Sequence, residues 1–171
     1  MIFKFRMLSD ESDVFVRDYE VKYDMNLLEF NDFICRDLHY DNSGMTSFFL
    51  SDGQWRKLRE FTLMDMGDTG YEGDDAPLPM AKTSLAEIIV ADYSRLIYLF
   101  DMFADRAFYI ELVASSEPNP DLTYPRVAFE NAPVPDQYDP DAVDSSAGSI
   151  FEEMMDDFGG GFDDDGGDDE W

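Results

Sequence analysis

The chain has 171 residues, a formal net charge of −27, and aromatic side chains at 15% of its positions. This acidity excludes binding to the phosphate backbone of a nucleic acid through counterion release, because such binding requires a dense surface of Lys and Arg. A hydrophobic content of 44%, together with the aromatic residues, excludes a chain that is disordered throughout.

Two strands and a helix are predicted at the start of the chain. Residues 2–7 and 14–21 alternate apolar with polar side chains, as half-buried strands do, and the polar segment 9–13 joins them. Over residues 27–38, apolar side chains recur at the three- and four-residue spacing of an amphipathic helix. Asn26 precedes this segment and is a favourable N-cap residue, so a helix is predicted to begin there.

More strands and one further helix are predicted in the middle of the chain. Glycine, proline and acidic residues mark positions 65–79 as a loop. After this loop, Thr83 or Ser84 is predicted to cap a helix that extends to about Tyr93. Runs rich in aromatic and β-branched residues are typical of strands. The strands predicted in this way are 46–51, 58–63, 96–101 and 107–113.

A change in composition near residue 140 divides the chain into a predicted domain, 1–140, and a flexible acidic tail, 141–171. The tail contains twelve Asp and Glu residues and no Lys or Arg, so it contributes −12 to the net charge and leaves −15 on the domain. Ser149 and Glu152 have the spacing of a capping box, and a short amphipathic helix is predicted over 150–158. A helix of this length is marginal in water by itself and should form only against a surface.

The tail is also the candidate binding element, because apolar side chains are embedded among its carboxylates. A tail that only increases solubility does not require such side chains, which are better explained by burial against a basic surface. The end of the tail is similar to the acidic, aromatic-terminated tips of bacterial single-stranded-DNA-binding proteins, which recruit DNA-processing proteins. The predicted partner-binding residues are Phe151, Met154, Met155, Phe158, Phe162, Asp163, Asp164, Asp165, Asp168, Asp169, Glu170 and Trp171.

Motifs for common enzyme chemistry are missing from the sequence. It contains no Gly-x-Ser-x-Gly elbow, no Walker loop, no dinucleotide glycine fingerprint and no CxxC pair, so no cofactor or metal site is predicted. Cys35 and the sole histidine, His39, lie four residues apart on the predicted helix and could share a face. A buried cysteine and a histidine at the helix C-terminus explain this pair better than catalysis does.

Two carboxylates form the remaining candidate for chemistry. Asp101 and Asp105 flank the turn between two predicted strands, where paired carboxylates can act as a metal or acid–base site. The favoured interpretation is that they shape and cap the turn, with Arg106 as a partner. The competing class of function is a metal-assisted hydrolase or transferase that uses these two residues and the Asp74–Asp75 loop.

Localisation is predicted from two further features. The longest apolar runs are only a few residues, too short to span a membrane, and the alternating N-terminus is unlike a signal peptide. Cys35 is the only cysteine, so no disulfide can form within the chain. The sequence therefore predicts a cytoplasmic protein that contacts no membrane.

Two stretches of the sequence resemble the plasmid pRiA4b ORF-3-like family, which includes passengers of insertion sequences. Residues 98–112, YLFDMFADRAFYIEL, are similar to the family motif Tyr-x-Tyr-Asp-Phe-Gly-Asp-x-Trp-x-His-x-Ile, and residues 124–135 are similar to its Tyr-Pro ending. The Gly, Trp and His of that motif have no clear equivalents here. The resemblance implies an α+β roll with helices packed on a mixed or antiparallel sheet, and it implies no established activity.

These observations together predict a non-enzymatic interaction or adaptor protein. Its acidic aromatic tail would dock on a basic surface of a nucleic-acid-processing partner, with nucleic-acid mimicry as a related mechanism. Direct binding to nucleic acid is not expected, because the domain itself carries −15. A third hypothesis is that the tail covers a patch on its own domain.

Overall fold

Eight strands form one mixed sheet in the computed structural model, which describes residues 1–67, 76–91 and 94–138. The strands are β1 (Ile2–Ser9), β2 (Val16–Lys22), β3 (Ser47–Ser51), β4 (Lys57–Thr62), β5 (Leu78–Pro79), β6 (Arg95–Asp101), β7 (Arg106–Ser116) and β8 (Arg126–Asn131). Their order across the sheet is β5-β4-β3-β6-β7-β1-β2-β8. Every neighbouring pair is antiparallel except β4 with β5.

The first helix, α1 (Leu27–Leu38), has the bounds that its apolar spacing predicts. Asn26 and Glu29 form a reciprocal capping box: the Asn26 side chain accepts from the Glu29 amide at 2.8 Å, and the Glu29 carboxylate accepts from the Asn26 amide at 3.1 Å. His39 ends the helix in the left-handed conformation. In the described part of the chain, no helix has the length and apolar character needed to cross a bilayer.

Helix α1 covers one face of the sheet, where an aromatic cluster forms the core. The ring of Phe30 stacks on Phe48 at a centroid distance of 5.7 Å and lies 5.5 Å from Phe5 and 6.3 Å from Tyr19. All four side chains are fully buried. Such rings bury large apolar areas, and their edge and offset contacts add to the free energy of burial.

A buried ion pair also joins α1 to the sheet. The Nε of Arg17 on β2 lies 3.5 Å from a carboxylate oxygen of Asp37 on α1, and the Tyr19 hydroxyl donates to the same carboxylate at 2.7 Å. The guanidinium also donates to the carbonyls of Asn131 and Ala132, at 3.2 and 3.3 Å. Burial, followed by the Asp37 carboxylate, raises the pKa of Tyr19, so this hydroxyl remains protonated as a donor.

The predicted α+β roll, with helices packed on the sheet, is wrong. Strands make up 43% of the described residues and helices 15%, and the strands form an eight-stranded mixed sheet. The helix predicted to reach Tyr93 is only four residues long, α2 (Leu85–Ile88), beside a 3₁₀ turn at Met80–Lys82. The β-branched run from Ile88 to Val90 disfavours its continuation, because such side chains lose rotamer freedom in a helix.

Strand β8 accounts for much of the remaining difference. It was not predicted as a strand, yet it pairs antiparallel with β2 from Val16 opposite Asn131 to Glu20 opposite Arg126. The Arg126 guanidinium donates to the Glu20 carboxylate at 2.6 Å across this pair. The predicted tail helix at 150–158 lies outside the described residues.

Candidate functional site

The two candidate carboxylates of the β6–β7 turn have separate partners. One Asp101 oxygen accepts from the amides of Phe103 and Ala104, both at 3.1 Å, and the other lies 3.8 Å from the Arg106 guanidinium. Asp105 has a positive φ of 52° and lies 3.5 Å from the Lys57 ammonium. Asp101 therefore caps the turn, whereas Asp105 forms an exposed ion pair.

Among the described residues, no further predicted site residue completes a metal site with Asp101 and Asp105. Within residues 1–67, 76–91 and 94–138, no group of three or more His, Cys, Asp or Glu side chains is arranged to hold a metal ion. Asp74 and Asp75 lie outside the described residues. The tail residues predicted to bind a partner, from Phe151 to Trp171, lie outside them as well.

Cys35 faces the core of the domain. Its sulfur lies 3.4 Å from the Tyr98 hydroxyl and its side chain is buried, whereas His39 is exposed at the end of α1. Burial raises the pKa of the Cys35 thiol; the hydrogen bond with Tyr98 offsets part of this rise, and the carboxylates of Asp32 and Asp41 add to it. A raised pKa disfavours the thiolate, which is the nucleophilic form.

Alkylation of Cys35 by iodoacetamide at pH 8 should therefore be slow in the folded protein. We expect an alkylation rate at least about 100-fold below the rate in guanidinium chloride. A local unfolding step that exposes Cys35 at a cost of about 3 kcal/mol is enough to give this factor. Labelling followed by mass spectrometry is unambiguous, since the chain has one cysteine. The control is His39→Asn, which the left-handed position tolerates. If alkylation is rapid in the unaltered protein and its rate falls in the His39→Asn variant, His39 activates the thiol.

A buried polar network centred on Asn31 was missed by the sequence analysis. Asn31 lies on the buried face of α1, and its carbonyl oxygen accepts from the hydroxyls of Tyr98 and Thr46, both at 2.8 Å. Its amide nitrogen donates to Asn42 at 3.1 Å, and Asn42 donates to Asp32 at 2.8 Å. The network fixes the loop after α1, because each buried polar group is satisfied by this loop or by β6. An asparagine between Phe30 and Phe33 was its only sequence signal.

That loop forms one wall of a methionine-lined groove of about 270 Å³. The groove lies at the end of β3 and β4, where Thr46, Ser47, Glu60 and Thr62 contribute to its lining. The exposed fraction is 62% for Met45 and 65% for Met64, so large apolar surfaces face solvent. Its apolar lining consists of Leu63, Pro77 and four methionines, Met45, Met64, Met66 and Met102.

The last described segment of the domain is fixed beside the same loop. Arg106 donates to the carbonyls of Asp136 and Gln137 at 2.6 and 3.1 Å, and the Tyr40 hydroxyl donates to the Pro135 carbonyl at 2.5 Å. The Gln137 side chain accepts from the Asp41 amide at 2.6 Å and donates to the Asp41 carbonyl at 2.8 Å. The domain thus holds this segment, up to Gln137, in a defined position.

Comparison with known proteins yields a family and a fold. The profile of the plasmid pRiA4b ORF-3-like protein family matches residues 2–146. No curated protein matches the chain. Among solved structures, the fold is similar to that of a protein of unknown function from Methanosarcina mazei Go1, with a TM-score of 0.64 and 13% identity over 91% of this chain and 79% of that one. At this identity, the similarity shows the fold alone.

Proposed function

We propose that this chain, which belongs to the plasmid pRiA4b ORF-3-like family, is a non-enzymatic adaptor whose acidic tail docks on basic surfaces of partner proteins. The observation that carries the proposal is the composition of residues 141–171, which have twelve carboxylates, no Lys or Arg, and apolar side chains between them. Such a segment can bury its apolar groups while its carboxylates face a cationic rim.

The mechanism is folding of the tail on its partner. Phe151, Met154, Met155 and Phe158 form an apolar stripe at helical spacing, which inserts into a groove of the partner as the helix forms. Ordering the segment costs about 2–5 kcal/mol of the interaction energy, which leaves the complex reversible. Phe162 and the acidic end at Trp171 make further contacts, linked to the stripe by Gly159–Gly161.

The partner is a basic surface on a nucleic-acid-processing protein in the cytoplasm. A cleft that binds DNA or RNA carries many Lys and Arg side chains, so a dense row of carboxylates is complementary to it. The tail would then occupy a site that otherwise holds nucleic acid.

No observation favours the metal-assisted hydrolase or transferase as a second function. Asp101 is engaged by two backbone amides of its own turn, and Asp105 pairs with Lys57. These contacts account for both carboxylates without a reaction.

Deletion of residues 141–171 tests the proposed function. Affinity purification from the native host should recover a partner with the full chain and lose it with the shortened one, while circular dichroism and the melting temperature of the domain stay unchanged. Recovery should also fall as salt rises, since exposed charges are screened. A shortened chain that unfolds or aggregates would point to a tail that covers its own domain, and unchanged recovery would refute the docking role.

A further inference from the structure

The methionine-lined groove lies on the folded domain, and all of its lining residues fall between Asn42 and Met102. Met45, Met64 and Met102 come from three different connections of the sheet, yet they line one concavity. Phe103, next to Met102, is fully exposed at the tip of the β6–β7 turn. Methionine side chains are flexible and polarisable, which suits them to surfaces that adapt to apolar groups of varied shape. Exposed apolar surface of this kind marks a binding site.

The size of the groove indicates what it can hold. Its volume of about 270 Å³ is below the range of roughly 300–1,000 Å³ that is usual for small-molecule sites. Four methionines, Leu63 and Pro77 form its apolar wall, and the polar wall consists of Asn42, Ser43, Thr46, Ser47, Glu60 and Thr62. A space of this size and lining is suited to one or two large apolar side chains of a protein segment.

The charge around the groove determines the chemistry of that segment. Glu60 lines the groove and accepts from the Ser47 hydroxyl at 2.9 Å, and Asp32 accepts from Asn42 in the groove wall. The Asp41 carboxylate accepts from the amide and the hydroxyl of Ser43, a residue that lines the groove, at 2.9 and 2.8 Å. Considering only residues that the structure describes, none of these three carboxylates has a Lys, Arg or His nitrogen within 4.0 Å. The rim therefore carries uncompensated negative charge and attracts cations.

We propose that this groove binds a basic amphipathic segment of a partner protein, whose apolar anchors enter between the methionines while flanking Lys and Arg side chains pair with Asp32, Asp41 and Glu60. A second copy of this chain is a poor occupant, because each copy carries −27. The acidic tail is a poor occupant for the same reason, since its anchors are flanked by carboxylates. The groove and the tail both select basic partners, but they are independent sites.

Methionine-methyl NMR of the full chain tests this proposal directly. The ten methionines are the four of the groove, the fully buried Met7 and Met80, the partly buried Met25, the exposed Met1, and Met154 and Met155 of the tail. The probe is a synthetic helical peptide with Leu and Phe anchors flanked by Lys and Arg. The matched peptide has the same anchors with Glu at the flanks. We expect the basic peptide to shift the four groove signals, with Met7 and Met80 unchanged.

Variants and the matched peptide provide the quantitative test. Met64→Gln together with Met102→Gln should weaken binding of the basic peptide at least tenfold, whereas Val14→Gln, an exposed apolar control on another loop, should not. The acidic peptide should bind at least tenfold more weakly than the basic one. Equal binding of the two peptides, or no shift of groove signals, would overturn the proposal.

Two further outcomes separate this site from the tail. If the basic peptide shifts only Met154 and Met155, it binds the tail, and the groove proposal fails while the adaptor function stands. If replacing Phe151 and Phe158 with serine moves the groove signals of the free protein, the tail itself occupies the groove, and the proposal of a partner segment is wrong. Groove shifts that persist in this variant support the groove as an independent site.

Discussion

Replacing Phe30 with alanine is expected to lower the free energy of unfolding by about 3–5 kcal/mol. Phe30 is fully buried, and its ring lies within 6.3 Å of the rings of Phe5, Phe48 and Tyr19. Alanine would leave a cavity at the contact between α1 and the sheet, where surrounding rings cannot collapse without leaving their own packing positions. Urea denaturation followed by circular dichroism measures the change.

Phe103→Ala is the matched control for this prediction. The same truncation is made at a side chain that is fully exposed, so no cavity forms and the free energy of unfolding should change by less than about 0.5 kcal/mol. Equal losses in the two variants would show that Phe30 is not in the core. A small loss for Phe30→Ala alone would mean that the site collapses around the smaller residue.

Replacing Asp37 with leucine is expected to destabilise the protein by about 3–5 kcal/mol, because it removes the closer and more buried of the two carboxylates beside the buried Arg17 guanidinium and leaves only the exposed Glu130 at 4.0 Å. The exposed fraction of Arg17 is only 5%, so water cannot take the place of the carboxylate. Leucine also removes the acceptor of the Tyr19 hydroxyl, which lies 2.7 Å from Asp37. Chemical denaturation of the two single variants and the double variant measures the coupling.

The double variant, Arg17→Met with Asp37→Leu, should recover part of this loss. Removing both charges abolishes the cost of burying either one, so the two single effects should not add. Recovery stays incomplete because Arg17 also donates to the carbonyls of Asn131 and Ala132. The surface pair of Asp65 and Lys82, at 2.8 Å, is the control, and breaking it should cost no more than about 1 kcal/mol. Strict additivity at Arg17 and Asp37 would contradict the buried ion pair.

The first helix and a central strand were predictable from local sequence, whereas the second helix was predicted too long. The apolar spacing after Asn26 gave α1 its observed bounds, because a helix and its capping box depend on residues within one or two turns. The strand predicted at 96–101 is observed as Arg95–Asp101 for a similar reason, since its composition alone favours a strand.

Features that depend on distant contacts were not predictable. Strand β8 exists because Arg126–Asn131 pairs with β2, more than a hundred positions earlier, and its own residues do not distinguish a strand from a loop. The groove joins methionines from separate connections, and nothing in the neighbourhood of Met45 indicates Met102. The α+β prediction failed for the same reason: the sheet is completed by long-range pairing, and only α1 extends beyond four residues among the described helices.

The central claim, that apolar side chains of the tail are buried against a basic partner, is tested most directly by one affinity measurement. The partner recovered with the full chain is titrated with the unaltered chain and with a variant. In the variant, Phe151, Met154, Met155 and Phe158 are replaced by serine while every carboxylate is kept. We expect the dissociation constant to rise at least tenfold, because the anchors are lost and the charge is unchanged. An unchanged dissociation constant would contradict the claim.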